Sequence, residues 1–220
     1  MKQILCAFLC AALLLAPIFG TTPHVYAAAN KTVYLTFDDG PTDSTTPHIL
    51  DVLKAEHVHA TFFVIGRQIH RREPILQRTF QEGHTIGIHT FSHEYATIYA
   101  SPSALLSDIR RCEKAIQTVL PNWSSKLYRF PGGSANLSES LVSAVKNAGF
   151  TICEWNASVD DAISPAASAK DLYANAVRSA SGKNTVVLLL HDGVGYRETV
   201  ESLPNIISYF RENGYAFHTL

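Results

Sequence analysis

Two adjacent carboxylates end an apolar stretch near the start of the chain. Residues 32–37 are rich in β-branched and aromatic side chains, which is typical of a buried strand, and Gly40-Pro41 then interrupts it. Successive side chains of an extended backbone point to opposite sides, so we expect Asp38 and Asp39 to have different roles. One would bind a metal ion and the other would accept a proton. A turn that leads into the next helix explains the same residues without chemistry, and this stretch alone leaves both explanations open.

His89 and His93 form a second candidate group. Two histidines four residues apart lie on one side of a helical turn and can bind one cation through their imidazole nitrogens. The chain has ten histidines, so chance also explains this spacing. With Asp39 as third ligand, the pair becomes a site of two histidines and one carboxylate. Such a site leaves coordination positions open for water and substrate, as catalytic zinc sites do.

Further polar or aromatic side chains follow three later apolar runs. These are Arg129, Trp155 with Asp161, and His191. In parallel α/β folds the C-terminal ends of the strands share one face, and that face carries the active site. We therefore expect these side chains to converge on the two carboxylates and the histidine pair.

The apolar runs alternate with amphipathic segments from residue 32 onward. Seven strands are predicted, at residues 32–37, 60–65, 85–88, 127–130, 150–155, 185–190 and 215–220. Six helices lie between them, at residues 44–56, 68–82, 102–120, 138–148, 168–180 and 198–213. Strict alternation predicts parallel strands with helical crossovers, in a barrel or in a doubly wound sheet. No glycine-rich phosphate loop follows the first strand, which disfavours nucleotide binding, and we prefer a barrel of fewer than eight units.

Composition indicates one globular domain. The 220 residues are 46% hydrophobic and 17% charged, with a formal net charge of −1, so we expect no nucleic acid as partner. Residues 1–29 have the layout of a secretory signal: Lys2, an apolar run over residues 4–19, and small residues before a cut after Ala27 or Ala29. The catalytic domain would then span residues 30–220.

An uncleaved membrane anchor is the alternative for this first segment. Its apolar run is shorter than the ~20 residues that a spanning helix needs, so we expect cleavage and no membrane span afterwards. The predicted location is therefore outside the cell or in the cell envelope, and the predicted state is a monomer. Cys112 and Cys153 remain after processing, either as two buried free thiols, which we prefer, or as a disulfide.

Five segments in order resemble the motifs of the NodB-type polysaccharide deacetylases, carbohydrate esterase family 4. They are Thr36-Phe37-Asp38-Asp39-Gly40, His89-x-x-x-His93, Arg129-x-Pro131, the segment from Trp155 to Asp161, and Leu189-x-His191. The resemblance covers residues 32–220, including a structural strand at residues 60–64. It implies an α/β fold, a distorted (β/α)7-type barrel of parallel strands with outer helices.

The resemblance also implies a metal site and two proton-transfer residues. Asp39, His89 and His93 would hold a divalent metal ion, which we expect to be Zn²⁺, with Co²⁺, Ni²⁺ or Mn²⁺ as alternatives. Asp38 would be the general base that takes a proton from the activated water. His191 would be the general acid that protonates the leaving amine.

Three further roles follow from the same resemblance. Arg129 would pair with Asp38 and keep it ionised. Asp161 would orient His191 and tune its pKa, although Asp160 stands next to it. The backbone N–H of Gly132 would help to hold the oxyanion.

Three positions depart from the family pattern. Ile88, which precedes His89, stands where a polar Asn is usual. Many relatives have Tyr where this chain has Gly132, so we expect a more open cavity or another ring in that place. The motif that ends at Asp161 commonly continues with Trp, where this chain has Ala162. Trp155 would supply the apolar wall instead, or would be a core residue.

The predicted activity is removal of N-acetyl groups from a glycan by a metal-dependent hydrolase. We expect N-acetylglucosamine of peptidoglycan as substrate, with chitooligosaccharides and O-acetylated xylan as alternatives. A metal-bound glycan-binding module without catalysis is a different class of function. A binding module would need neither Asp38 nor His191, and the presence of both favours the enzyme.

Overall fold

A computed structural model describes residues 31–164 and 166–220. The described residues form eight strands: β1 (Lys31–Asp38), β2 (Thr61–Ile65), β3 (Thr85–Thr90), β4 (Leu127–Tyr128), β5 (Thr151–Ile152), β6 (Ala157–Ser158), β7 (Thr185–His191) and β8 (Tyr215–His218). They also form eight helices: α1 (Thr46–Ala55), α2 (Gly66–Ile69), α3 (Glu73–Gln81), α4 (Tyr95–Ile98), α5 (Pro102–Val119), α6 (Glu139–Asn147), α7 (Ala169–Ala180) and α8 (Arg197–Glu212).

All strands pair in parallel in one curled sheet with β1 near its centre. The order is β5-β4-β3-β2-β1-β7-β6, and β8 pairs with the first half of β1. β2 pairs with the second half of β1, on the edge of β1 that β8 also occupies. β7 pairs with the whole length of β1 on the opposite edge. The predicted distorted barrel of parallel strands with helical crossovers is confirmed.

Two predicted elements are wrong in detail. The predicted strand 150–155 is shorter and forms only β5, and the next strand, β6 at Ala157–Ser158, was not predicted. These two strands pair with β4 and β7 at opposite edges of the sheet. The predicted helix 68–82 is broken into α2 and α3, because Arg71 between them adopts a positive φ of 66°. Such a φ does not continue a right-handed helix.

Local signals place several helix ends correctly. The Ser101 hydroxyl accepts a hydrogen bond from the Ala104 N–H at 3.1 Å, and Pro102 occupies the first turn of α5. Gly83 and Gly149 lie just past α3 and α6 with φ of 86°, a conformation that glycine adopts without steric cost.

Cys112 and Cys153 are buried free thiols, as preferred from the sequence. Within the described ranges, no helix has both the length and the apolar character needed to cross a bilayer. The predicted signal over residues 1–29 lies outside the described residues and stays a prediction.

Candidate active site and metal centre

The carboxyl ends of the strands surround one cavity of about 410 Å³. Asp38 at the end of β1 lies in register with His191 at the end of β7. Eight of the nine predicted site residues line the cavity: Asp38, Asp39, His89, His93, Gly132, Trp155, Asp161 and His191. The ninth, Arg129, is fully buried behind Asp38. The predicted convergence at this end of the sheet is confirmed.

Asp38 and Asp39 face the same group of side chains, so the expectation that they point to opposite sides is wrong. The strand ends at Asp38, and Asp39 adopts a positive φ of 82°. Aspartate tolerates this left-handed region better than most residues. As a result, Asp38 Oδ2 lies 3.9 Å and Asp39 Oδ1 lies 3.5 Å from Nε2 of His89.

The two histidines meet by a route that differs from the predicted helical turn. His89 lies within β3, and His93 follows in a loop with a φ of 56°. The buried Asp108 carboxylate accepts hydrogen bonds from the N–H groups of residues 91 and 92 at 2.6 and 3.1 Å. The hydroxyl of Thr90 accepts one from the His93 N–H at 3.0 Å. These contacts fix the loop that brings His93 back to His89.

Asp39, His89 and His93 fit a metal ion. Asp39 Oδ1 lies 3.5 Å from His89 Nε2 and 3.3 Å from His93 Nε2, and one ligand atom of each residue is within 4.8 Å of the others. Tetrahedral zinc with bonds of about 2.0–2.1 Å needs ligand atoms about 3.3 Å apart. Asp39 Oδ1 is also buried without a hydrogen-bond partner among the described residues. A buried carboxylate oxygen without a partner is costly, and a bound cation would satisfy it.

The hydrogen bonding and the pKa of His89 suit a metal ligand. Its Nδ1 makes a 2.9 Å hydrogen bond with the Arg129 carbonyl, which leaves Nε2 free to face Asp39. Burial lowers the pKa of His89 to about 3. The imidazole is therefore neutral, which is the form that binds metals.

Asp38 and Arg129 form a buried ion pair. Arg129 Nη1 donates to Asp38 Oδ1 at 2.9 Å and to the Thr36 hydroxyl at 2.8 Å, and Arg129 Nε donates to the Cys153 carbonyl at 3.0 Å. Burial raises the pKa of Asp38 above its ordinary value, and the Arg129 guanidinium opposes that rise. Asp38 is thus a carboxylate with a fixed orientation and a better proton acceptor than a free aspartate.

His191 and Asp161 form the second pair. His191 Nδ1 lies 2.7 Å from Asp161 Oδ1, and the His191 backbone N–H donates to Asp161 Oδ2 at 2.9 Å. The Thr199 hydroxyl donates to Asp161 Oδ2 at 2.8 Å. Burial alone would lower the pKa of His191, but the hydrogen bond and charge of Asp161, with the charges of Asp38 and Asp39, raise it to about 9. His191 therefore carries a proton at neutral pH.

Comparison with known proteins agrees with this geometry. A family model described as polysaccharide deacetylase matches residues 26–153, more than half of the chain. The chain belongs to the polysaccharide deacetylase family. A Bacillus cereus peptidoglycan-N-acetylglucosamine deacetylase is 33% identical over 193 residues, which are 86% of each chain. A carbohydrate esterase family 4 structure from Streptococcus mutans is 37% identical with a TM-score of 0.81, covering 87% of this chain and 86% of that one.

A third relative is a chitooligosaccharide deacetylase from a Bradyrhizobium strain. It is 28% identical over 205 residues, covering 88% of this chain and 90% of the relative. The predicted membership of carbohydrate esterase family 4 and the predicted fold are both confirmed by these matches.

The structure shows which side chains stand in place of the aromatic residues that the family pattern has at two positions of this chain. A Cβ added to Gly132, which has a φ of 72°, would lie 3.2 Å from the Tyr95 hydroxyl, so another ring occupies this place. Trp155 is half-buried and lines the cavity, and its ring lies 5.6 Å from the Arg129 guanidinium. Trp155 therefore forms a wall of the cavity. Of the two neighbouring acids, Asp161 contacts His191, while Asp160 lies on the cavity wall.

Sequence reasoning missed several residues that support the family's site. Asp108 holds the loop of His93, Thr199 orients Asp161, and the Tyr196 ring stacks on His191 at 5.3 Å with an interplanar angle of 19°. Tyr95 lies edge-on to His93, with ring centroids 5.5 Å apart. No local sequence pattern indicates these contacts. Each joins a residue to a loop or to a segment that is remote in sequence.

Proposed function

We propose that the protein hydrolyses N-acetyl groups of N-acetylglucosamine units in peptidoglycan, using a divalent metal ion. One observation carries this proposal. A metal-competent triad, a buried carboxylate with a raised pKa and a histidine with a raised pKa all face one cavity. The relative in Bacillus cereus, named a peptidoglycan-N-acetylglucosamine deacetylase, supports the choice of substrate. Export to the cell envelope is part of the proposal, because the substrate lies outside the membrane.

Asp39, His89 and His93 would hold the metal ion. Two imidazoles and one carboxylate suit zinc, and cobalt, nickel and manganese are the alternatives. When bound, such an ion acts as a Lewis acid that lowers the pKa of water from ~15.7 to ~7 and stabilises negative charge on a carbonyl oxygen. The orphaned Asp39 Oδ1 supports this assignment.

Asp38 would accept a proton from the attacking water. Its Oδ2 is 3.9 Å from His89 Nε2, so the carboxylate stands beside the metal ligands. Arg129 would hold the Asp38 carboxylate in one orientation through Oδ1 and leave Oδ2 free for the proton. Burial raises the pKa of Asp38 above its ordinary value while Arg129 limits that rise, which would make Asp38 a stronger general base that is still ionised.

His191 would donate a proton to the leaving amine. An amine is a poor leaving group unless it is protonated, so the reaction needs an acid that is separate from the base. Asp161 would fix the His191 ring through Nδ1, leaving Nε2 as the proton donor. The backbone N–H of Gly132 would add a donor for the oxyanion.

A bell-shaped dependence of kcat/KM on pH is expected from these two groups. Activity falls at low pH as Asp38 is protonated, and falls at high pH as His191 loses its proton. Since Asp161 raises the pKa of His191, Asp161→Asn should shift the alkaline limb to lower pH by about 1–2 units. Asp160→Asn is the matched control and should leave this limb in place. An alkaline limb that Asp161→Asn does not move would contradict the assigned role of Asp161.

Acetate release from peptidoglycan, N-acetylglucosamine oligomers and acetylxylan, measured in parallel, tests the proposed substrate. Peptidoglycan should give the highest kcat/KM. A preference for the oligomers would favour the chitooligosaccharide alternative, which the Bradyrhizobium relative supports. A preference for acetylxylan would favour an esterase. Binding of a glycan with no acetate release from any substrate would support the non-catalytic module.

A further inference from the structure

Tyr95 is an exposed aromatic residue at the mouth of the cavity. It begins α4 directly after the loop of His93, and 49% of its surface is accessible. The ring lies edge-on to both His93 and Tyr99, at 5.5 and 5.6 Å between centroids. Tyr99 in turn donates a hydrogen bond to the Pro131 carbonyl at 2.7 Å, so the Tyr95 ring rests on an anchored neighbour.

The position of Tyr95 depends on the absence of a side chain at Gly132. A Cβ at Gly132 would lie 3.2 Å from the Tyr95 hydroxyl and 3.4 Å from Cε1 of its ring. Both distances are tight, so a larger residue at this position would displace the ring. Gly132 therefore leaves open the space into which Tyr95 projects.

A second exposed apolar side chain, that of Ile163, lies at the same mouth. The large hydrophobic residues that are exposed within the described ranges are Phe80, Tyr95, Ile163 and Val194. Tyr95 and Ile163 line the catalytic cavity, and Ile163 lies two residues past Asp161 with 78% of its surface accessible. Two of these four residues therefore stand at one cavity, and exposed apolar side chains grouped at a cavity mark a binding surface, whereas single scattered ones need no explanation.

We infer that Tyr95 and Ile163 form a sugar-binding rim, in which Tyr95 replaces the ring absent at Gly132 and contacts the sugar that carries the acetyl group. The inference rests on the proposed function: with the acetyl group beside Asp38 and His191, its sugar must occupy the cavity mouth. A sugar has apolar C–H faces and polar edges. A tyrosine offers an apolar ring face and a hydroxyl, which suits both.

Binding of an N-acetylglucosamine tetramer to the metal-loaded protein tests the rim. The measurement uses titration calorimetry in the Asp38→Asn background, which suppresses turnover. Tyr95→Ala should raise Kd about tenfold, and Tyr95→Phe and Ile163→Ser about threefold each. The matched control is Phe80→Ala on α3, which removes an exposed aromatic ring away from the cavity and should leave Kd unchanged.

The outcomes separate the rim from the proposed function. An unchanged Kd in both Tyr95→Ala and Ile163→Ser overturns the rim, as does failure of the tetramer to bind at all. Binding that weakens as expected supports the rim even where the wild-type protein releases no acetate, a result that would remove the proposed activity alone. Acetate release by the wild-type protein, with Kd unchanged in both Tyr95→Ala and Ile163→Ser, would overturn the rim and leave the proposed activity standing.

Discussion

Asp38→Asn is expected to lower kcat for acetate release by a factor of about 10²–10⁴, because the variant would lack the proposed general base. Metal content should stay unchanged, since Asp38 is separate from the three proposed metal ligands. Asparagine is close in size to aspartate and can still accept a hydrogen bond from Arg129. The variant should also lose about 3 kcal/mol of unfolding free energy, because the fully buried Arg129 loses its counter-charge.

Thr36→Val separates these two effects. Thr36 also accepts a hydrogen bond from Arg129 Nη1, at 2.8 Å, but it carries no proton in the proposed reaction. Thr36→Val should therefore lower the unfolding free energy, measured by urea denaturation, and retain most of the activity. If Asp38→Asn kept a near-normal kcat while its metal content was intact, Asp38 would not be the base.

His191→Gln should have a comparably large effect, but one that depends on the leaving group. Acetate release from a glycan should fall by a factor of about 10²–10⁴, because the amine then leaves without a proton. Hydrolysis of a nitrophenyl acetate should fall much less, because nitrophenolate is a stable anion that needs no general acid. The two rates are measured on one metal-loaded preparation.

Tyr196→Phe is the control for the environment of His191. Phenylalanine keeps the ring that stacks on His191 at 5.3 Å and removes only the hydroxyl. Its ratio of glycan to ester rates should match that of the wild-type protein. Equal losses on both substrates in His191→Gln would show that the residue does not act on the leaving group.

The sequence predicts which side chains converge where these side chains stand at the end of a strand. Continuous apolar runs predict β1, β2 and β7, and parallel strands bring their C-terminal ends together. Asp38 and His191 are therefore neighbours across β1 and β7, although 153 positions separate them. Motif order then identifies the family.

Backbone turns could not be predicted from the same patterns. Asp39 and His93 both adopt a positive φ, and these turns bring their side chains to His89, whereas continued strands would carry them away from it. The sequence therefore selects residues that do meet at one cavity, but it predicts the wrong local geometry for them. The segment of β5 and β6 is a similar case. One strand was predicted at residues 150–155, but β5 and the unpredicted β6 join opposite edges of the sheet, and which edge each joins depends on sheet curvature.

Contacts between segments that are remote in sequence could not be predicted either. Tyr95 lies next to Gly132 only because the fold brings the two segments together. The glycine at this position, where many relatives have Tyr, predicts an open cavity or another ring, but it does not indicate which residue supplies that ring. Thr199 reaches Asp161 across 38 positions. Such contacts depend on the tertiary structure.

Zinc content of the purified protein tests the central claim most directly. After loading and dialysis, the wild-type protein and the exposed control His70→Ala should each retain one equivalent per chain, measured by elemental analysis. Asp39→Ala and His93→Ala, checked for folding by circular dichroism, should each retain at most about a tenth of an equivalent. Full zinc content in both ligand variants would contradict a metal centre built from Asp39, His89 and His93.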